Sequence, residues 1–365
     1  MKLSLSLLSL LLLCVLGATN ALNIGSFNIQ VLGKTKMADN RVVDTIIEIL
    51  SRYDIVLVQE VRDVTDDTVD NLLSILNKRN KSKNYKTAVS TRLGRSDSKE
   101  QYVYFYDPEV IKLMGAYQYE DKNKVFERPP YAVRVRPTTA GGNGKDFFII
   151  ACHIQPKNAA VEMDALVDVH EHFIATAGNA ALKKTITDRT IFLGDFNADC
   201  DYMTKKKWTE VRLRTSDKFT WLIGDKTRTT VADRDCAYDR VVVTKGLAVS
   251  KGVGISAVPY NFIEKMKMSS DNAKLVSDHF PVDITVDFKK TAGAGGSTKN
   301  DKPVKSPPKK DGTLTKTNKP VKSPSKKRSL DDDFLDDDDD MDVDYDDDDE
   351  EELPPRKKRS VKVSA

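Results

Sequence analysis

Cysteine is scarce in this 365-residue chain, which contains four Cys, 14 Pro and 18 Gly residues. So few Cys and Gly residues exclude the disulfide-dense and collagen-like classes of protein. The Cys and His residues form no closely spaced group, so a zinc site is not expected. After the first 21 residues, no apolar run approaches the ~20 residues of a transmembrane helix, and we expect no stable membrane span. A hydrophobic content of 39% nevertheless indicates a folded body.

The net charge is also small, because 58 Lys and Arg residues nearly balance 55 Asp and Glu residues. Near the C-terminus, however, the charges are sorted into blocks. Residues 289–330 are rich in Lys and Pro, residues 331–352 hold seventeen carboxylates, and residues 353–365 are basic. Such a segment cannot bury enough apolar surface to offset the entropy of ordering, so we predict a disordered C-terminal tail.

Two roles for this tail stay open. Its lysines could bind nucleic acid, and the final cluster Arg356-Lys357-Lys358-Arg359 resembles a nuclear-import signal that would give access to the nucleus. The alternative is a tail that only keeps the protein in solution.

The N-terminus has the pattern of a secretory signal peptide. A basic residue at position 2 precedes the apolar run Leu3–Leu16, and small residues stand three and one positions before residue 22. We therefore predict removal of residues 1–21, followed by secretion or residence in the endoplasmic reticulum. Asn80-Lys81-Ser82 is an N-glycosylation sequon, which is usable if it lies on an exposed loop.

Three Cys residues remain after position 21, and an odd number allows one disulfide and one free thiol. Cys200 and Cys236 lie in polar, loop-like segments, whereas Cys152 ends the apolar run Phe147–Ala151. We predict a disulfide between Cys200 and Cys236 and a buried thiol at Cys152.

Residues 22–288 alternate short apolar runs with helical patterns. The runs have the length and the β-branched or aromatic content of strands, several of them buried on both faces. The predicted strands are Leu22–Ile29, Ile55–Val58, Tyr102–Tyr106, Tyr131–Val135, Phe147–Ala151, Thr190–Leu193, Arg240–Val243 and Val282–Phe288. Because no helix separates neighbouring runs at Tyr102 and Tyr131, antiparallel hairpins are expected there.

Apolar residues at helical spacing predict three helices. These residues are Val42, Val43, Ile46, Ile47, Ile49 and Leu50; Val69, Leu72, Leu73 and Leu76; and Val161, Ala165, Leu166, Val169, Phe173 and Ile174. The expected fold class is α/β (α+β), with two packed mixed β-sheets flanked by helices in a single domain.

Polar residues follow or precede the predicted strands at one end, where rigid strands could hold a site. They are Asn28, Glu60, His153, Asp195, Asn197, Asp239, Asp278 and His279. Each is weak evidence alone, because a Glu after a strand is often a structural hydrogen-bonding group and a lone His often packs in the core. His170 and His172 lie two apart in a predicted helix, and we assign them no role.

The joint occurrence of these polar residues at the strand ends favours metal-assisted phosphoryl chemistry. Glu60, Asp195 and Asp278 are hard oxygen ligands that suit Mg²⁺, Mn²⁺ or Ca²⁺. Asn28 and Asn197 can donate to phosphate oxygens without adding negative charge. His153 and His279 can act as base and acid, because imidazole titrates near neutral pH.

Six segments together resemble the deoxyribonuclease I family, within the endonuclease/exonuclease/phosphatase superfamily, and most resemble its deoxyribonuclease gamma-like branch. The matching stretches are FNIQVLGKTKM, LSRYDIVLVQEVRD, LGDFNADC, WTEVRLRTSDKFTWLIGD, CAYDRVVV and VSDHFPVDITV. The resemblance implies a four-layer α/β sandwich. It also implies a low-specificity endonuclease that cuts DNA with divalent cations and leaves 5′-phosphate ends.

The resemblance also implies roles for individual residues. His153 and His279 would be the catalytic pair, oriented by the carboxylates of Glu100 and Asp239 respectively. Metal would be held by Glu60, Asp195 and Asp278. Phosphate contacts would come from Asn28, Asn197, Arg128 and Tyr238, and Arg62 would enter the minor groove. The expected cofactors are Mg²⁺ or Mn²⁺, together with Ca²⁺.

Some positions depart from the family pattern. Of the family's surface calcium-site acids only Asp121 matches, because Arg228 and Pro129 replace others, so the resemblance does not extend to structural calcium. Thr87 replaces an aromatic residue of the actin-binding strand, so actin binding is not expected. Ser98 replaces a DNA-stacking tyrosine. The expected partner is double-stranded DNA, free or in chromatin, and the expected state is a monomer.

Two alternatives remain. The chain could be a phosphodiesterase of the same superfamily with another substrate, such as a phospholipid or abasic DNA. It could also be a catalytically inactive protein that binds DNA or chromatin. The intact set of His and carboxylate residues disfavours the second.

Overall fold

The structure is a computed structural model that describes residues 21–288, except for 66, 96–98, 139–141, 143 and 233. These residues belong to the first of two units, Met1–Gly296 and Ser297–Ala365. The signal-peptide prediction, apart from Ala21, lies outside the described residues, as do Ser98 and the three tail segments.

Among the described residues, twelve strands form two six-stranded sheets. In chain order they are β1 Ala21–Leu32, β2 Ile55–Val61, β3 Lys86–Val89, β4 Gln101–Tyr106, β5 Ile111–Gln118, β6 Tyr131–Pro137, β7 Phe147–His153, β8 Thr190–Asp195, β9 Phe219–Trp221, β10 Asp239–Thr244, β11 Val253–Pro259 and β12 Val282–Phe288. The first sheet has the order β11-β12-β1-β2-β4-β3 and the second has the order β5-β6-β7-β8-β10-β9. The pairs β1–β2 and β7–β8 are parallel, and the other pairs are antiparallel, so both sheets are mixed.

All eight predicted strands are present, and the four that were missed are the edge strands β3, β5, β9 and β11. An edge strand is partly exposed to solvent and therefore lacks the continuous apolar run of a central strand. The strands at Tyr102 and Tyr131 do form hairpins, but each pairs with a missed edge strand, β3 or β5, and the two lie in different sheets.

The two sheets are buried on both faces, because alternate residues of a strand point to opposite sides. In β2, Ile55 and Leu57 face the core between the sheets, whereas Val56 and Val58 face the outer helices. In β7, the residues from Phe147 to Cys152 alternate in the same way. Helix, sheet, sheet and helix thus form four layers.

Helices cover the outer faces. They are α1 Lys34–Ala38, α2 Asn40–Leu50, α3 Asp67–Arg79, α4 Ala159–Ala175, α5 Ala180–Asp188, α6 Lys205–Glu210, α7 Arg212–Thr215, α8 Lys245–Ala248, α9 Phe262–Lys265 and α10 Ser270–Val276, with short 3₁₀ turns at Pro156–Asn158 and Cys200–Tyr202. The three predicted helices are α2, α3 and α4. In the described part of the chain, no helix combines the length and apolarity needed to cross a membrane.

The buried face of α4 differs from the prediction at one position. Val161 is 61% exposed, and the fully buried residue beside it is Glu162. At this point of the helix the side chain of Glu162, not that of Val161, points into the protein, where backbone N–H groups donate to its carboxylate. His170 is buried and its Nε2 lies 2.9 Å from the carbonyl of Ile186, whereas His172 is exposed, so the first is a packing residue and the second a surface residue.

Candidate active site

Polar residues from both sheets meet along one rim of the sandwich. Strands β1 and β2 bring Asn28 and Glu60 to this rim near their C-terminal ends, and β7 and β8 end there with His153 and Asp195. The antiparallel strand β10 begins at the same rim with Asp239, and the segment before β12 adds Asp278 and His279. The mixed sheet topology therefore gathers residues that are far apart in sequence.

Strand register explains why Asp195 lies at the centre. On β8, Asp195 is paired with His153 of β7 on one side and with Asp239 of β10 on the other. Three neighbouring strands thus place three chemically active side chains at one level of the second sheet. All three are buried.

His153 is held by a carboxylate. Its Nδ1 lies 2.5 Å from Oε1 of Glu100, and its Nε2 lies 3.8 Å from Oδ2 of Asp195 and 4.0 Å from Oε1 of Glu60. Burial alone would lower the pKa of His153, but the negative charge of Glu100 outweighs burial and raises it. The Nε2 side of the ring is therefore directed at the acidic cleft.

His279 is held in the same way by another carboxylate. Its Nδ1 lies 2.7 Å from Oδ2 of Asp239, and its Nε2 lies 3.4 Å from Oδ2 of Asp195. Burial opposes the charged form, yet Asp239 and Asp195 together raise the pKa of His279 well above its ordinary value. The backbone N–H of His279 donates to Ser277 Oγ, which itself donates to the carbonyl of Asn28.

The carboxylates at this rim fit a divalent cation. Ligand atoms of Asp195, Asp239 and His279 all lie within 4.8 Å of one another. Burial raises the pKa of Asp195, and the neighbouring Asp239 raises it further. Within the described residues, Oδ1 of Asp239 and Oδ1 of Asp278 are buried and receive no hydrogen bond. Such uncompensated oxygens suit Mg²⁺ or Mn²⁺, which prefer hard oxygen ligands.

Glu60 is bound to its protein neighbours. Its Oε1 accepts from Asn28 Nδ2 at 2.8 Å, and its Oε2 accepts from Val31 N at 3.0 Å and from Arg62 Nη2 at 3.3 Å. Burial opposes ionisation, but His153, Arg62 and Asn28 outweigh it and lower the pKa of Glu60 to about 2. A carboxylate that stays ionised at all physiological pH values suits a cation ligand.

Three residues in this part of the rim have a left-handed backbone conformation. Glu60 has φ 59°, and Gln30 and Val31 have φ 50° and 54°. Residues other than glycine adopt this region at a cost of about 1–3 kcal/mol each, and such strain clusters at functional sites. The pairing of β1 with β2 is irregular between Asn28 and Leu32, and Asn28 Nδ2 donates to both Glu60 and Asp195, at 2.8 and 3.3 Å.

The other predicted contact residues surround this centre. Arg128 Nε lies 2.8 Å from Oε1 of Glu100, in a nearly buried ion pair. Arg62 lies 33% exposed between Glu60 and Glu100, where it can reach a ligand. The ring of Tyr238 lies 6.3 Å from that of His279.

Asn197 stands directly beside Asp195. Its backbone N–H donates to Asp195 Oδ1 at 2.8 Å, and its side chain donates to the carbonyl of Ile154 at 2.9 Å. Its φ of 46° is again left-handed. All twelve predicted catalytic, metal and phosphate residues thus lie in one connected region.

The structure also reveals residues that the sequence patterns missed. The ammonium of Lys36 donates to the carbonyls of Ile29, Gln30 and Val276, and burial lowers its pKa to about 8. Gln59 is fully buried and links the two sheets. The sequence offers only weak indications of these two residues. Lys36 is a lysine shortly after a predicted strand, and Gln59 is an amide at the end of an apolar run, and neither feature is specific.

The Cys200–Cys236 disulfide is present, and Cys152 is a buried free thiol. The disulfide joins the turn after Asn197 to the segment before Tyr238. It therefore closes a 36-residue separation at the edge of the site.

Comparison with known proteins gives one family. Residues 25–279 match the model of the Endonuclease/Exonuclease/phosphatase family. Mouse deoxyribonuclease-1 is 40% identical over 287 residues, which cover 77% of this chain and 96% of the mouse protein. Mouse deoxyribonuclease-1-like 2 is 40% identical over 271 residues, covering 74% and 93%. Chicken deoxyribonuclease-1 is 39% identical over 292 residues, covering 78% and 98%.

A solved structure supports the same fold. The catalytic domain of human Nocturnin, solved with a bound sulfate anion, covers 74% of this chain and 94% of its own, with a TM-score of 0.50 and 15% identity. At this identity the likeness concerns the fold only.

Proposed function

This chain belongs to the deoxyribonuclease I group of the Endonuclease/Exonuclease/phosphatase family and is a DNA nuclease, and we propose that it is a secreted, cation-dependent endonuclease of low sequence specificity. The observation that carries the proposal is the pair of His–carboxylate dyads, His153–Glu100 and His279–Asp239, which face each other across Asp195.

The two dyads can divide the proton transfers of hydrolysis. Cleavage of a phosphodiester needs a base that takes a proton from water and an acid that protonates the leaving oxygen. In each dyad a carboxylate binds Nδ1, so Nε2 is the atom that exchanges a proton with water or DNA. Departure of the 3′ oxygen leaves a 5′-phosphate on the other product.

A divalent cation held by Asp195, with Glu60 and Asp278 nearby, would neutralise charge on the phosphoryl oxygens. The amides of Asn28 and Asn197, close to Asp195, would contribute hydrogen bonds to the same oxygens. Asp239 belongs to the same carboxylate cluster, so its oxygen that lacks a hydrogen bond can also serve a cation.

Arg62, Arg128 and Tyr238 would bind the DNA backbone and groove beside the reacting phosphate. Contacts of this kind recognise phosphate and groove width more than base identity, which supports low sequence specificity. Free DNA and chromatin both present these features.

The predicted signal peptide at residues 1–21 supports export, and the Cys200–Cys236 disulfide suits an oxidising compartment. The predicted tail at residues 289–365 would add blocks of both basic and acidic charge to the chain.

Nicking of supercoiled plasmid by the purified full chain tests the function. We expect nicks with Mg²⁺ plus Ca²⁺ or with Mn²⁺, none in EDTA, and product ends that accept label from polynucleotide kinase only after phosphatase treatment. Binding of duplex DNA without nicking under every metal condition would instead identify an inactive binding protein. Preference for abasic DNA or for a phospholipid would identify another phosphodiesterase of the superfamily.

A further inference from the structure

We infer that Asn80 is an N-glycosylation site placed at the end of the sandwich opposite the active site. Asn80-Lys81-Ser82 is the single N-glycosylation sequon of the chain, and the structure places it in a turn directly after α3, where Asn80 is partly exposed and Lys81 and Ser82 are exposed. Ser82 Oγ donates to Asn80 Oδ1 at 2.8 Å, which brings the hydroxyl of the sequon to the acceptor amide.

The residues that contact this turn show where it lies relative to the active site. Lys83 Nζ donates to the carbonyl of Tyr53 at 2.6 Å and lies 3.2 Å from Asp54 Oδ1, so the turn lies beside the start of β2. Glu60 lies near the other end of β2, roughly 20 Å away at about 3.3 Å per residue. A glycan on Asn80 would therefore leave the DNA-binding rim open.

The modification rests on the proposed entry into the secretory pathway. There a polyprenyl-pyrophosphate oligosaccharide donates its sugar. The bond between the anomeric carbon and the phosphate oxygen breaks, a bond from that carbon to Asn80 Nδ2 forms, and the amide loses one proton while the pyrophosphate leaves.

The test is mass spectrometry of the full chain secreted by eukaryotic cells, before and after peptide-N-glycosidase, which converts a glycosylated Asn80 to Asp. We expect a glycan on the wild type and on Ser82→Thr, none on Asn80→Gln or Ser82→Ala, and equal nicking by all four. Secreted protein with an unmodified Asn80 overturns this inference alone, as does loss of nicking on Asn80→Gln. Protein that never enters the secretory pathway overturns the proposed secretion as well.

A second inference rests on a different observation. We propose that Gln59 is a positioning residue that sets the separation of the two halves of the site. It is fully buried on β2 of the first sheet, and its side chain makes two hydrogen bonds to the second sheet. Nε2 donates to the carbonyl of Cys152 at 2.9 Å, and Oε1 accepts from Asp195 N at 3.1 Å.

These bonds involve residues at, or directly before, three active-site positions. Gln59 directly precedes Glu60, Cys152 directly precedes His153, and Asp195 is bound itself. Gly194 on β8 lies very close to Cys152 and Gln59. A Cβ at this position would lie 2.0 Å from the carbonyl oxygen of Cys152 and 3.1 Å from Gln59 Nε2. With φ 133°, this position requires glycine.

Gln59→Leu keeps the side-chain volume and removes both bonds. Asn77→Leu is the matched control, because Asn77 also binds a backbone N–H and carbonyl, both of Tyr85, at the remote end. Since small displacements of reacting groups are costly, we expect Gln59→Leu to lower kcat roughly 10- to 100-fold. KM for duplex DNA should stay within about twofold, because the DNA-binding side chains remain.

Circular dichroism and thermal unfolding separate positioning from folding. Asn77→Leu should lower Tm without lowering kcat, whereas Gln59→Leu should lower kcat. A folded Gln59→Leu protein with wild-type kcat overturns the inference. Equal loss of kcat in the two Leu variants does so too, because it would reflect stability alone.

Discussion

His153 and His279 direct their Nε2 atoms at the same atom, Oδ2 of Asp195, from 3.8 and 3.4 Å. The first extends from β7 of one sheet and the second precedes β12 of the other. Each has its own carboxylate on the opposite ring nitrogen. The two rings are thus arranged as a facing pair around one buried acid, and their separate removal should have comparable effects.

We therefore expect His153→Ala and His279→Ala each to slow plasmid nicking by about 10²- to 10⁴-fold, the usual contribution of a general acid or base. His172→Ala is the control, because His172 is exposed on α4 and remote from the rim. It should nick at nearly the wild-type rate. Near-wild-type nicking by either of the first two variants would remove the acid–base roles.

Glu162 should make stability depend on pH. Its carboxylate accepts from the N–H groups of Glu127 at 3.0 Å and Gln155 at 3.3 Å, but burial dominates and raises its pKa to about 7. The folded protein then holds a proton that the unfolded chain releases near pH 4.5. Raising the pH from about 4.5 to 7 therefore destabilises the fold, by on the order of 3 kcal/mol at most.

Urea unfolding at pH 5 and pH 7.5 measures this effect. Glu162→Gln should lose this part of the pH dependence, whereas Glu171→Gln, which alters an exposed residue of the same helix, should keep it. An unchanged dependence in Glu162→Gln would assign the titration to another group.

The disulfide should contribute measurably to stability. Linking Cys200 to Cys236 restricts the unfolded chain, which is worth about 3–4 kcal/mol for a loop of this length. The double variant Cys200→Ser/Cys236→Ser should lower the free energy of unfolding by this amount. Cys152→Ser is the control, because its thiol is free and buried. Equal Tm values for the double variant and wild type would contradict the expectation.

The acidic run should weaken DNA binding. Residues 331–352 carry seventeen carboxylates, which would compete with DNA phosphates for basic surface. Deleting this run should raise DNA affinity, and nicking of nucleosomal DNA, at low salt and less so at high salt. A chain with Asn and Gln in place of these Asp and Glu residues separates charge from length. Unchanged affinity in both would leave a solubilising tail.

The central strands were predictable because each is a continuous apolar run. The edge strands β3, β5, β9 and β11 were not, because half-exposed strands mix polar and apolar residues without a clear period. The pairing of the strands could not be predicted either, because the runs at Tyr102 and Tyr131 are neighbours in sequence but belong to different sheets. Sequence order does not determine which edge a strand joins.

The candidate site was predictable from strand ends and family motifs. The buried residues around it, which hold its backbone in place, were harder to predict. Glu162 was missed because Val161 beside it fits the apolar helix face better, and only the phase of α4 shows which side chain is buried. Gln59 and Lys36 bind backbone groups, and such contacts leave no side-chain partner for a pattern to identify.

The rim lies where the two sheets meet, and the apolar core between the sheets acts together with Gln59 on the distance between the two halves of the site. Leu57, two residues before Gln59, and Ile149, four residues before His153, belong to that core. A bulkier or smaller side chain at either position would shift the two halves without altering any group that we propose to contact DNA. The spacing of the catalytic groups therefore depends partly on core side chains that lie behind the site and take no part in its chemistry.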